Sequence, residues 1–273
     1  MTNSRFAFGR NWKEFSRVID ESRVSAAVDG LKQLLQESRL DGRSFLDIGS
    51  GSGLSSVAAA RLGARVRAFD YDEDSVAATR DNLRRFVSEA PVEVGQGSAI
   101  DADYMASLGQ FDVVYSWGVL HHTGAMWTGL ELAAEAVAPD GKLAIAIYND
   151  QGGASRRWLI VKRLYVTGGP IRRGFLLVLF ALFFEGRAAL NRLLRLENPL
   201  PFQAWRQRRQ TRGMSMWHDL VDWVGGYPFE VAKPEEIFEF FHVRGFILNG
   251  LTTCAGGLGC NEFLFVRAAA PAK

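Results

Sequence analysis

Three glycines in alternation, Gly49, Gly51 and Gly53, follow an acid, Asp47, in the stretch FLDIGSGSGL. A buried strand that ends in a glycine-rich turn and opens a helix brings main-chain N–H groups up to a nucleotide. A dinucleotide would want G-x-G-x-x-G, and Leu54 stands where the third glycine of that pattern belongs. A triphosphate would want a Lys-Ser/Thr pair behind the loop, and none follows. A second acid, Asp70, closes the stretch RVRAFD, at the distance from the glycines where a carboxylate can accept both hydroxyls of an adenosine ribose. Tyr71 and Trp117 could stack on the adenine or ribose, or serve only as packing beside the sheet.

A second constellation can move a proton. His121 and His122 follow FDVVYSWGVL, at the carboxyl edge of a sheet, where open α/β folds bind ligands. A histidine of near-neutral pKa placed there could deprotonate a hydroxyl; packing is the other use of either ring. Tyr148, Asn149 and Asp150 leave the next strand at the same edge with a phenol, an amide and a carboxylate for a substrate. Asp150 and the histidines could hold a divalent cation, but no metal is expected. Farther on, MSMWHDLVDWVGGYPFE places His218 and Tyr227 beside aromatics, either as a substrate wall or as an amphipathic packing helix.

The elements that must position these residues are read from periodicity. SFLDIG, RVRAFD, VEVGQG, FDVVYSWG and GKLAIAIYN read as strands, with helices over Leu54–Leu62, EDSVAATRDNLRRF and MWTGLELAAEAVA between them. That cadence means a doubly wound, mostly parallel sheet. It breaks at Asp150: helical patterns follow around Ser155–Val166, Ile171–Leu196 and Phe202–Val224, with no convincing strand. KPEEIFEFFHVRGFILNG and NEFLFVRA then restore a helix and two strands. The expectation is an α/β, seven-stranded Rossmann-like core over 40–150 and 231–268, a helical substrate cap at 151–230 after the fifth strand, and an N-terminal helical cover at 1–39, read as one or two helices interrupted by Gly30.

In order and spacing, FLDIGSGSG, RAFDYDEDSV, VGQGSAID, FDVVYSWGVLHH and VAPDGKLAIAIY resemble the successive motifs of class I S-adenosylmethionine-dependent methyltransferases. Within that superfamily, VLHH and the late insertion are most similar to the ubiquinone-biosynthesis-like small-molecule O-methyltransferases. The resemblance implies S-adenosylmethionine as cofactor, with Ser98 and Ala99 at the adenine edge and the leader FAFGRNW, carrying Phe8 and Trp12, closing over it. The cofactor has no phosphate, so the glycines need only let the backbone approach the methionyl part. Asp47 suits its cationic amino group.

The chain has 273 residues, 48% of them hydrophobic and 23% charged, which is ordinary for a globular protein. Its net charge of +2 hides an asymmetry: thirteen Lys/Arg stand against two acids between Arg156 and Arg212. The run FLLVLFALFF lies inside that basic stretch, and it can be a buried lid, an interfacial helix or the surface of a homo-oligomer. Ten residues are too few to span a bilayer, and no signal peptide is read at the start, so the expected location is the cytoplasm, with peripheral membrane contact open. Aromatics inside apolar runs, not alternating with arginines, argue against nucleic acid. Cys254 and Cys260 read as reduced loop thiols. The expected function is methyl transfer to an oxygen of a hydrophobic, lipid-like or acidic small molecule. The alternatives are an RNA methyltransferase and a non-catalytic protein that binds the cofactor.

Overall fold

The computed structural model describes residues 6, 8–88, 90–195, 216–257 and 259–268, without the side chains of 10, 11, 216–219 and 222. The chain divides into two units, Ala7–Gly152 with Phe229–Lys273, and Gly153–Pro228 with Met1–Phe6.

In the larger unit the strands are β1 (Ser44–Ile48), β2 (Arg65–Asp70), β3 (Val92–Gln96), β4 (Phe111–Trp117), β5 (Val137–Tyr148), β6 (Phe246–Thr252) and β7 (Cys260–Arg267). They form one sheet in the order β3-β2-β1-β4-β5-β7-β6. The first five run parallel, and β7 is antiparallel to both β5 and β6. The order reverses between β1 and β4, so the connections leaving these two strands diverge and open a crevice at their carboxyl ends.

Side-chain alternation along β1 separates the two faces of the sheet. Phe45 points to the face covered by α2 (Glu21–Leu35) and α3 (Leu54–Arg61), with Leu31, Leu35, Ala58 and Ala59 against it. Leu46 and Ile48 point to the other face, under α6 (Met126–Glu135) and α10 (Pro234–His242), among Leu130, Ile237 and Phe241. The remaining helices of this unit are α1 (Phe8–Ser16), α4 (Glu73–Phe86) and α5 (Ala102–Leu108). Lys142 of β5 fastens α2 to the sheet, donating to the carbonyl of Leu35 at 2.7 Å and pairing with Glu37 at 2.6 Å.

Some boundaries differ from the expectation. The N-terminal helices part at Asp20, which caps α2 by accepting from the Arg23 amide, while Gly30 lies inside α2 with open space beside it. Helix α5 has no counterpart in the periodicity reading because seven residues are too few to display a period. Its local signals are Asp101, which accepts from the Tyr104 amide at 3.1 Å, and Gly109 at φ 77° after its last turn. Cys260 is the first residue of β7, not part of the loop, and burial pushes its thiol up to about 12.

The smaller unit contains α7 (Gly153–Thr167), α8 (Pro170–Leu194) and α9 (Met216–Gly225), with no strand among its described residues. Tyr165, Val166, Leu176, Leu177 and Val224 form its interior, with Trp158 stacked parallel to Phe184. Of the helix expected over Phe202–Val224, the part up to 215 lies outside the described residues.

Phe241 is fully buried, with Phe246 and Phe265 rings 5.5 and 4.7 Å away. Phe241→Ala should lower unfolding stability by about 3–5 kcal/mol in urea titration, the usual result of emptying an aromatic site in a core.

Candidate functional site

The loop after β1 adopts a backbone that only glycine holds without strain. Gly49, Gly51 and Gly53 have φ of 76°, 56° and 76°. Space is as restrictive as conformation, since a Cβ on Gly53 would lie 2.7 Å from the Cα of Thr79. Helix α4 braces the turn. The Thr79 hydroxyl lies 2.9 Å from the Ser50 hydroxyl and donates to the Gly51 carbonyl at 3.2 Å, and the Asn82 amide donates to the Ser52 carbonyl at 2.8 Å. These contacts satisfy backbone groups that are out of reach of solvent.

Two carboxylates flank the loop in different ways. Asp70, at the end of β2, accepts from the Gly51 amide on one oxygen and from the Asp72 amide on the other, both at 2.9 Å. It stays partly open to solvent, with its carboxyl raised by burial. Asp47 sits beneath the loop, 2% exposed, and accepts from the Ser56 hydroxyl of α3 at 2.6 Å. Burial, with the negative charge of Asp70 adding to it, pushes the Asp47 carboxyl up to about 7. A positive charge brought to this loop would favour both carboxylates, whereas a phosphate would oppose them.

Helix α1 reaches the same place. Gly9 donates its amide to Asp72 at 3.2 Å, and Lys13 pairs with Asp74 at 2.7 Å. These ties set the Trp12 indole 3.2 Å from where a Cβ on Gly51 would be. The loop after β3 is tied in through the Gly97 amide, which donates to the Asp70 carbonyl at 3.0 Å. There the Ser98 hydroxyl accepts from the Ile100 amide at 3.4 Å, and Ala99 is buried. Tyr71 is exposed, with its carbonyl held by Gln96. Trp117 stacks parallel on Tyr115 and lines a cavity of about 480 Å³ with Ser55, Leu31 and Glu262, on the α2 face of the sheet.

The histidine pair sits on a 3-10 turn, Leu120–His122, and its two rings have different surroundings. His121 is fully buried, its Nδ1 accepting from the Tyr148 amide at 3.3 Å and its carbonyl accepting from the Glu230 amide at 2.9 Å. An Nδ1 that accepts belongs to the neutral ring. His122 is only partly buried, between Phe8 at 4.9 Å and Tyr148 at 5.4 Å. Of the residues expected at the end of β5, Asn149 accepts from Asn261 at 3.1 Å and Asp150 from the Gly152 amide at 2.8 Å, so both have structural duties in the turn. Tyr227 belongs to the smaller unit, where its carbonyl accepts from the Phe6 amide. The side chain of His218 lies outside the described residues.

One residue at this edge goes unread in the sequence. Glu230 accepts from the Met126 amide with both oxygens, at 3.2 and 3.1 Å, and so caps α6, whose own Ala125 offers no side chain for the purpose. Its partner is 104 residues away, so no local pattern marks it.

Residues 46–143 match the family described as Methyltransferase domain. Among similar proteins, the ubiquinone biosynthesis O-methyltransferase of Rhizobium rhizogenes is 33% identical over 111 residues, 40% of this chain and 43% of that one. The ribosomal protein L11 methyltransferase of Xanthomonas oryzae pv. oryzae is 31% identical over 120 residues, 42% of this chain and 34% of that one. The match thus spans less than half of either relative. Among solved structures, magnesium protoporphyrin IX methyltransferase from Synechocystis with bound SAM superposes with a TM-score of 0.52 at 13% identity, covering 90% of this chain and 79% of that one. At that identity the likeness is one of fold.

The buried carboxyl beneath the loop gives a pH signature. Asp47 titrates near 7 in the folded chain, against about 3.9 unfolded. The unfolded chain therefore releases this proton first, so stability falls as pH rises from about 4 to 7, and above 7 the whole cost is present. Asp47→Asn should be close to wild type at pH 4 and more stable above pH 7, by up to the order of 4 kcal/mol, in urea unfolding measured at each pH.

Proposed function

We propose that the chain, whose residues 46–143 match a methyltransferase domain, is a class I S-adenosylmethionine-dependent methyltransferase that transfers the methyl group of that cofactor to an oxygen of a hydrophobic or anionic small molecule. The observation that carries the reading is the loop of three positive-φ glycines clamped to the Asp70 carboxylate, with Asp47 beneath it. The two carboxylates suit a cationic adenosyl ligand. When bound, S-adenosylmethionine supplies a methyl carbon already activated by the adjacent sulfonium, so the protein has mainly to align the acceptor and take up its proton.

In this reading Asp70 accepts from the ribose hydroxyls, Asp47 favours the methionyl amino group, and Ser98 and Ala99 border the adenine. Trp12, resting on the loop, keeps water from the sulfonium. His122 is the base that receives the acceptor's proton, since it keeps an accessible edge. His121 is a positioning residue, holding its neighbour through the Tyr148 amide and the Glu230 backbone. The ubiquinone relative is named an O-methyltransferase, which favours oxygen as the acceptor atom. The enzyme is taken to be cytoplasmic, with peripheral contact at a membrane.

Calorimetric titration should find that S-adenosylmethionine and S-adenosylhomocysteine bind and that NAD does not. Asp70→Ala should weaken binding by about 1.5–3 kcal/mol, the loss of charge-assisted hydrogen bonds. Tight binding of NAD alone would overturn the reading.

Turnover with methyl-labelled cofactor and a panel of hydrophobic phenols and carboxylic acids tests the chemistry. His122→Ala should lower kcat by about 10²–10⁴-fold with cofactor affinity intact. His121→Ala should instead lower the melting temperature. Cofactor retention without label transfer to any acceptor would leave a binding protein in place of an enzyme.

A further inference from the structure

We propose that α8 is a membrane-docking element that lies in the plane of an anionic lipid surface. Ile171, Phe175, Val178, Leu182 and Leu193 recur at helical spacing along its length, and all five are exposed, Ile171 at 89% and Leu182 at 69%. The opposite side of the helix carries Leu176, Leu177 and Phe180, which enter the interior of the smaller unit with Tyr165 and Val224. Two apolar sides on one helix, only one of them packed, leave a stripe about 33 Å long facing outward. An exposed apolar surface of this extent marks an interaction site.

The charges around the stripe select the partner. Between Gly153 and Arg195 nine Lys/Arg stand against one acid, Glu185. Arg172 and Arg187 lie on α8 itself and are exposed. A surface that takes apolar side chains and presents negative charge beside them is a bilayer with acidic head groups.

By length and composition α8 could cross a membrane, which the count of ten apolar residues in the sequence does not suggest. Its charges and packing favour an in-plane arrangement. The uncharged run from Gly174 to Phe184 is eleven residues, about 16 Å of helix, half the roughly 30 Å of a hydrocarbon core. A spanning helix would also carry Glu185 and Arg187 into hydrocarbon and strip away the packing that α7 and α9 supply. Lying flat keeps the packed side on the protein and leaves Arg172, at the border of the stripe, near the head groups.

Docking does not require turnover, so its test is separate from that of methyl transfer. The full chain is floated with vesicles of phosphatidylcholine alone and of phosphatidylcholine mixed with phosphatidylglycerol. It should rise with the mixed vesicles, stay behind with the neutral ones, and be released by raised salt. Arg172→Gln should weaken partition roughly fivefold. Phe175→Ser with Leu182→Ser should abolish it, while circular dichroism and melting temperature stay near wild type because both side chains are exposed.

Equal flotation with neutral and mixed vesicles would overturn the proposal, as would flotation that survives loss of the stripe. Failure to float would overturn it too. If native mass spectrometry then finds a dimer that the serine pair dissociates, the stripe joins two copies of the chain.

Discussion

The site depends on a short set of backbone hydrogen bonds between the loop after β1 and the end of β2. The Phe69 carbonyl receives the amides of both Gly49 and Ser50, and the Asp70 carboxylate receives that of Gly51. Three consecutive amides are thus spent on a neighbouring strand, so the turn is shaped before any ligand arrives. The conformational cost of three left-handed residues is borne by glycine, and the polar groups of the turn are answered by Thr79 and Asn82 from α4. Parallel pairing of β1 with β2 puts Phe69 opposite Ile48, and thereby sets Asp70 beside the glycines.

Electrostatics divides the chain in the same way as its contacts do. The core's loop is built around acids whose carboxyls are raised by burial, an arrangement that waits for positive charge. The smaller unit is basic, and α8 exposes apolar side chains on its surface. A single net charge near zero conceals both.

Much of this was legible in the sequence wherever an element was long and periodic. EDSVAATRDNLRRF matches α4 residue for residue, because acids open it, arginines close it and Asp72 caps it. The glycine loop was legible through residue type, since alternating glycines have few other uses. Tertiary duties were not. Asp47 shares the parity of Phe45, so it points under α3 to Ser56, and only the folded sheet reveals that the acid nearest the glycines is also the most secluded. The two histidines are indistinguishable in the string HH, yet one is interior and the other is not. Asn149 is held by Asn261, more than a hundred residues later in the chain. Glu230 caps a helix more than a hundred residues earlier, and nothing near it in the chain could announce that.

The position of β7 gives the chain an order of assembly. β5 has β4 on one side and β7 on the other, and β7 begins at Cys260, after the whole helical unit has been made. During synthesis at about 5–20 residues per second, the finished edge of β5 therefore waits several seconds on the ribosome with its amides and carbonyls unpaired. Over the same interval the apolar stripe of α8 has already emerged. A nascent chain at that stage shows both a bare strand edge and an apolar helix, the two features that favour aggregation before folding is complete.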